Sequence, residues 1–103
     1  MRNTAIISYN SPRYQEWLAV FGTTEIPIVN ILVPNKANVL GQIRDVYMLD
    51  LRKLTEEQTE RLIAHIARKF NVNIAEVRRD LHQHGVPLLA EDLIITTDQM
   101  FFL

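Results

Sequence analysis

Short runs of hydrophobic residues, bounded by polar turn residues, predict strands in the first half of the chain. Residues 4–9, 26–33 and 44–51 are rich in β-branched and other apolar side chains and are flanked by Pro, Gly or Asn, as strands usually are. The middle of segment 44–51 is apolar on both faces, which predicts a central, buried strand. Residues 34–41 contain Pro, Asn and Gly and are predicted to form a loop.

Hydrophobic residues spaced three and four apart predict helices between and after these strands. The first covers residues 13–21, and Gly22 is its expected stop. The second covers residues 55–70, where Thr55 and Gln58 have the spacing of a capping box and the first turn is acidic. The apolar stripe of this second helix is formed by Leu62, Ile63, Ile66 and Phe70.

A third helix and two short strands are predicted in the rest of the chain. Asn73 is a suitable N-cap for a helix over residues 73–84, and Gly85 is expected to end it. Residues 86–89 and 93–97 then form two short strands. Because strands dominate the first half and a helix pair the second, we expect one α+β domain over the whole chain. In it, a small mixed or antiparallel sheet packs on a two-helix hairpin in the C-terminal half.

Composition places the chain among globular proteins and does not point to a polyanionic partner. The 103 residues are 48% hydrophobic, and 11 basic and 12 acidic side chains give a net charge of −1. Nucleic-acid binders usually carry a basic surplus. The sequence lacks cysteine, the apolar run of a signal peptide and any apolar stretch long enough to span a bilayer. We therefore expect a cytoplasmic protein with no membrane contact.

Side chains that could carry catalysis or hold a metal are few and scattered. Asp50 follows a buried strand, as the phosphoacceptor of response-regulator receivers does, but no acidic pair follows the first strand, so a solvent-facing or capping role is expected. His82 and His84 lie two apart on a helix, about 200° around its axis, and cannot converge on one ion. Ser8 and Ser11 lack nucleophile-elbow glycines. We expect no enzyme activity, cofactor, metal or small-molecule ligand.

The segment IARKFNVNIAEVRRDL, residues 66–81, resembles the helix-turn-helix of DeoR-type transcriptional repressors. The resemblance implies that the helix ending at Val-Arg-Arg-Asp-Leu enters the major groove of DNA. The residues that match the pattern are Ala67, Phe70, Val72, Val77, Arg78, Arg79, Asp80 and Leu81. The DNA contacts that it implies are Arg68, Lys69, Arg78, Arg79 and His82.

Several features of the same segment favour a plain helical hairpin with a solvated face. Asn71 stands where the repressors have the turn Gly, and Glu76 and Asp80 add negative charge to the would-be recognition helix. A winged form of the helix-turn-helix module would need a hairpin over residues 86–97. The tip of that hairpin, at residues 90–92, would be acidic and would repel phosphate. DNA binding is therefore the second interpretation.

Two groups of apolar side chains point to protein contacts. The last four residues, Met100, Phe101, Phe102 and Leu103, would each gain roughly 1.5–3 kcal/mol from full burial, either against their own domain or in a neighbour. Tyr14, Trp17 and Phe21 form an aromatic stripe on the first helix, which belongs either to the core or to an interface. We expect a non-catalytic binding or accessory module that acts through these protein contacts and self-associates.

Overall fold

The described part of the chain, residues 4–29 and 35–96 of a computed structural model, has an α+β architecture. The prediction of this fold class is confirmed. The elements are β1 (Thr4–Ile7), α1 (Tyr14–Phe21), β2 (Glu25–Pro27), β3 (Asn35–Val39), β4 (Gln42–Met48), α2 (Glu56–Phe70), α3 (Ile74–His84), β5 (Pro87–Leu89) and β6 (Leu93–Thr96).

Within the described residues, the strands form two antiparallel sheets of three strands each, in the orders β2-β1-β6 and β3-β4-β5. The predicted central position of β4 is confirmed, since it pairs on both sides, but its predicted burial is not, because within this strand Val46 alone is buried. The sheets meet at a bridge between Ile28 and Leu49. The Val29 N–H donates to the Met48 carbonyl (2.8 Å) and the Asp50 N–H to the Pro27 carbonyl (3.0 Å). The two sheets therefore share a backbone hydrogen-bond network.

The prediction of a loop over residues 34–41 is wrong for residues 35–39 and confirmed for the turn at residues 40–41. Residues 35–39 form the edge strand β3, which pairs with β4 from Asn35–Val46 to Val39–Gln42. Leu40 and Gly41 make the turn with φ of +52° and +78°, both positive as a type I′ hairpin turn requires. An exposed edge strand of mostly polar residues has little hydrophobic signal, so its sequence resembles a loop. Residues 30–33 of the predicted strand 26–33 lie outside the described residues.

The two short strands predicted over residues 86–89 and 93–97 are confirmed as β5 and β6, but they do not form the hairpin that a wing would need. β5 pairs with β4, whereas β6 pairs with β1, so the two strands belong to different sheets. A short 3-10 turn, Ala90–Asp92, carries the chain from one sheet to the other. Asp92 is buried and hydrogen-bonded there rather than standing at an exposed acidic tip. No wing of the repressor type is formed by these residues.

Local capping chemistry sets the helix ends as the sequence predicts. The Gln58 N–H donates to Thr55 Oγ1 (3.0 Å) and the Thr55 N–H to Gln58 Oε1 (2.9 Å), which confirms the capping box. Asn71 ends α2 in the left-handed conformation, and Asn73 Oδ1 accepts from the Ala75 N–H to start α3. Gly22 ends α1 with positive φ. None of the described helices has the length and hydropathy needed to cross a bilayer.

One cluster of buried side chains connects both sheets with all three helices. Its members come from β1, α1, β2, α2, α3 and β5, and from the segments that flank β4 and β5. Examples are Ile7, Phe21, Ile26, Leu49, Leu62, Val77, Val86 and Leu88. Because these residues lie far apart along the chain, the domain is held together mainly by this shared apolar core.

Truncation of Leu62, which is fully buried in the middle of α2, should strongly destabilise the domain. We expect Leu62→Ala to lower the free energy of unfolding by about 2–5 kcal/mol, because it removes buried methyl groups and leaves a cavity. Ile94→Ala, on a side chain about half exposed on β6, is the control and should cost about 1 kcal/mol or less. Guanidinium unfolding curves of the two variants measure the difference, and equal losses would contradict this description of the core.

Candidate functional site

An open cleft of about 570 Å³ is lined by side chains from all three helices, the β3–β4 hairpin and β5. This volume lies within the range of roughly 300–1,000 Å³ that is typical of ligand pockets. Most of the lining is apolar, and it includes Trp17, Val39, Val46, Ile66, Phe70, Val77, Leu81 and Leu88. The cleft can therefore receive an apolar group that is at least as large as a single side chain.

Three large apolar side chains line this cleft and remain exposed to solvent. Leu40 is 88% exposed, Phe70 65% and Val72 40%. Leu40 stands in the hairpin turn, Phe70 is the last residue of α2, and Val72 lies in the link to α3. The predicted apolar stripe of α2 is buried only in part: Phe70, at its end, is exposed, because the helix extends past the core that buries Leu62 and Ile63. We call Leu40, Phe70 and Val72 the apolar rim.

A charged cluster between α1 and α2 also lines the cleft. Glu16 Oε1 accepts a hydrogen bond from Lys69 Nζ (2.8 Å) and lies 2.6 Å from His65 Nε2. Partial burial acts to raise the pKa of the Glu16 carboxyl, but the hydrogen bonds from Lys69 and His65 outweigh it and hold this pKa below its ordinary value. The His65 ring also contacts the Trp17 ring, with centroids 6.1 Å apart. The cluster therefore fixes this wall of the cleft.

A second polar group at the cleft is built around a buried carboxylate. Asp92, 4% exposed, accepts from Ser11 Oγ through Oδ1 (2.8 Å) and from Arg13 Nη1 through Oδ2 (3.0 Å). Arg13 and Asp92 both line the cleft. The Arg13–Asp92 and Glu16–Lys69 pairs together neutralise four of the charged side chains in the lining. The cleft therefore offers apolar surface more than net charge.

The aromatic stripe predicted as an interface is divided by the structure. Phe21 lies in the core, with its ring stacked 5.7 Å from that of Trp17. Tyr14 is partly buried and stacks on the exposed Tyr9 ring at 4.7 Å. Trp17 is the member of the stripe that reaches the cleft. The other predicted contact group, Met100 to Leu103, lies outside the described residues.

The five side chains that the helix-turn-helix resemblance assigns to DNA are all exposed on α2 and α3. Two of them, however, are held by carboxylates: Lys69 by Glu16, and Arg78 by Glu60 with Nη2–Oε2 at 2.7 Å. The hydrogen bond from Arg78 lowers the pKa of Glu60, so this pair stays charged at neutral pH. The other three are Arg68, Arg79 and His82, and no ion pair holds them within residues 4–29 and 35–96.

Asp50 has a structural role, because its side chain caps a short turn of the backbone. It is buried rather than solvent-facing, and its side chain accepts from the Arg52 N–H to cap the 3-10 turn Leu51–Lys53. The capping role considered for Asp50 is confirmed. No group of three or more His, Asp or Glu side chains in the described part of the chain is arranged to hold a metal ion.

The Glu16 cluster should make stability depend on pH. Because the folded-state pKa of Glu16 is depressed, its contribution is present above the unfolded-state pKa and is lost as the pH falls through the folded-state pKa. We expect Glu16→Gln to lower the free energy of unfolding by about 1 kcal/mol at pH 7, and the difference from wild type should shrink as the pH falls from the ordinary range of a Glu carboxyl through the lower folded-state pKa of Glu16. Urea unfolding across pH 3–7 measures this.

The matched control is Glu57→Gln, which removes the exposed Glu57–Arg61 ion pair within α2. Its effect should be about 0.5 kcal/mol or less. A Glu16→Gln difference that stays constant down to pH 3 would contradict the electrostatic role given to Glu16.

Comparison with protein-family models, with curated proteins and with solved structures found no significant match to this chain. The resemblance of residues 66–81 to DeoR-type repressors therefore gains no further support from relatives. What can be inferred about function comes from the cleft, its apolar rim and the charges around them.

Proposed function

We propose that this chain is a small non-catalytic binding module that acts through protein contacts, with the cleft and its apolar rim as the contact surface. The observation that carries the proposal is the exposure of Leu40, Phe70 and Val72 beside an open apolar cleft. Single exposed hydrophobic residues are common on monomers, but several grouped around a recess are typical of interaction sites. A cytoplasmic location and self-association belong to the same proposal.

The charges at the cleft indicate what kind of partner fits. Arg13 is paired with Asp92 and Lys69 with Glu16, so these side chains do not select a strongly charged ligand. The fitting partner presents apolar or aromatic side chains, with polar groups at the margin, as the centres of protein interfaces generally do. Trp17, inside the cleft, is the side-chain type that contributes most often to such contacts.

DNA binding is the alternative function, and one observation favours it. Arg68, Arg79 and His82 project from α2 and α3 without an ion-pair partner in the described residues, as phosphate-contacting side chains would. Against it, Glu60 holds Arg78, and Glu76 and Asp80 are exposed on the same helix as Arg79. The net charge of −1 adds no general attraction to phosphate.

Selection of random dodecapeptides displayed on phage against the immobilised protein tests the protein-contact proposal. We expect enriched peptides to be rich in Phe, Leu, Trp and Met, because the cleft offers apolar surface. Their affinity, measured by fluorescence anisotropy, should fall about tenfold or more in Phe70→Gln, which removes a rim side chain.

Ile43→Gln is the matched control for this selection. Ile43 is exposed to a similar degree, but it is three residues from the cleft-lining Val46 on β4 and so points to the opposite face of the hairpin. Peptide affinity should be unchanged in this variant. The proposal is wrong if no apolar peptides are enriched, or if they bind Phe70→Gln as tightly as wild type.

Anisotropy of labelled random-sequence duplex DNA, titrated with the protein at low salt and at about 200 mM salt, separates the two functions. On the protein-contact proposal we expect no binding at either salt concentration. Binding that collapses with salt, and that Arg78→Ala with Arg79→Ala abolishes in a folded protein, would instead support the helix-turn-helix function.

A further inference from the structure

Leu40 combines two features that are unfavourable in an isolated monomer. Its backbone is in the left-handed region, with φ of +52°, where Gly and Asn are tolerated much better than Leu. Its side chain is 88% exposed, so it gains almost nothing from burial. Asn-Gly is the preferred pair for this type of turn and would remove both problems. Nothing in the described part of its own domain explains a Leu at this position.

Leu40 stands at the edge of the cleft, together with Phe70 and Val72. The same face of the molecule therefore carries a protruding apolar side chain and an apolar recess. A face with both features can be complementary to itself, because a two-fold axis places the projection of each protomer opposite the recess of the other. Such a contact is complete in a dimer, because neither copy is left with an exposed projection that could bind a third copy.

We propose that the occupant of the cleft is a second copy of this chain, in a two-fold symmetric dimer in which Leu40 of each protomer enters the cleft of the other. This names the partner in the protein-contact function proposed above and rests on it. In this dimer Leu40 packs among the cleft side chains Trp17, Ile66 and Phe70, which supply the apolar surroundings that its own domain does not.

The charge distribution favours a like partner. A charged ligand would need unpaired opposite charges at the cleft, whereas Arg13 and Lys69 are already neutralised by Asp92 and Glu16. Among the described residues, Asp80 in the lining has no ion pair, but it is exposed, so solvent and salt screen the repulsion between two copies of it. The net charge of −1 per chain adds little long-range repulsion. A second copy therefore meets only a weak electrostatic cost at this face.

The exposed apolar area predicts a small interface. Leu40, Phe70 and Val72 leave up to about 400 Å² of apolar surface uncovered, taking about 150–200 Å² for each whole side chain. A homodimer interface is about 65% apolar, so this corresponds to roughly 600 Å² per protomer, at the lower end of stable complexes. Interfaces at this end of the range are often weak and transient, so the test covers micromolar concentrations.

Sedimentation equilibrium of the full chain from about 1 to 300 μM tests this inference. We expect wild type to change from monomer to dimer within this range and Leu40→Asn to remain a monomer, with its dissociation constant raised at least tenfold. Because Asn suits the turn, Leu40→Asn should unfold at an equal or higher denaturant concentration than monomeric wild type. Loss of the dimer without loss of stability separates a contact role of Leu40 from structural damage.

The fluorescence of Trp17 can report dimerisation, because Trp17 lines the cleft and is the one tryptophan of the sequence. Its emission should shift to shorter wavelength as wild type is concentrated, and should not depend on concentration in Leu40→Asn. Ile43→Gln, which changes the opposite face of the hairpin, should dimerise as wild type does.

The possible failures are distinguishable from each other. A wild-type monomer at 300 μM whose cleft still binds the selected peptides overturns the second-copy inference and leaves the protein-contact function in place. A dimer that persists in Leu40→Asn, with Trp17 emission independent of concentration, also overturns the inference. A wild type that neither self-associates nor binds peptides overturns both proposals.

Discussion

The buried carboxylate of Asp92 is the interaction on which the arrangement of the two sheets depends. It lies at the point where the chain leaves β5 in one sheet and enters β6 in the other. Its side chain accepts from Ser11 and Arg13, and its backbone carbonyl accepts from the Ser8 N–H at 2.9 Å, so three bonds fix the crossover to the segment between β1 and α1. Loss of either partner would leave the buried Asp92 carboxylate with fewer hydrogen bonds at the crossover, at a cost of about 1–3 kcal/mol.

The cleft follows from the same arrangement. Arg13 immediately precedes α1, and Glu16 lies in its first turn, so the bond to Asp92 and the contacts to His65 and Lys69 hold α1 against both the crossover and α2. One wall of the cleft is thus fixed by charged pairs and by the core beneath it. The opposite side is the β3–β4 hairpin, whose turn is exposed. The site therefore combines a rigid recess with an exposed apolar projection.

The features that the sequence predicts well are those encoded by neighbouring residues. Thr55 and Gln58 cap α2, Asn71 and Asn73 separate α2 from α3, and the apolar run of β4 indicates its central place, all from local chemistry. The edge strand β3 is missed because its residues are mostly polar and give little hydrophobic signal. The Glu16–His65 contact and the burial of Asp92 join residues far apart in the sequence, so no periodicity reveals them. Likewise, helical spacing predicts that Phe70 lies on the apolar side of α2, but it does not show that the core ends before this residue.

The pairing of β1 with β6 has a consequence for the order of folding. Thr4 lies opposite Thr96, so this sheet needs contacts between the most distant described segments of the chain, whereas the β3–β4 hairpin closes between adjacent residues. Loop-closure entropy makes distant pairings slow and local ones fast. We therefore expect the hairpin and the α2–α3 pair to form early and β6 to dock late. Until β6 docks, Asp92 is not held beside Ser11 and Arg13, so the cleft lacks part of its wall while Leu40 and Phe70 are already exposed.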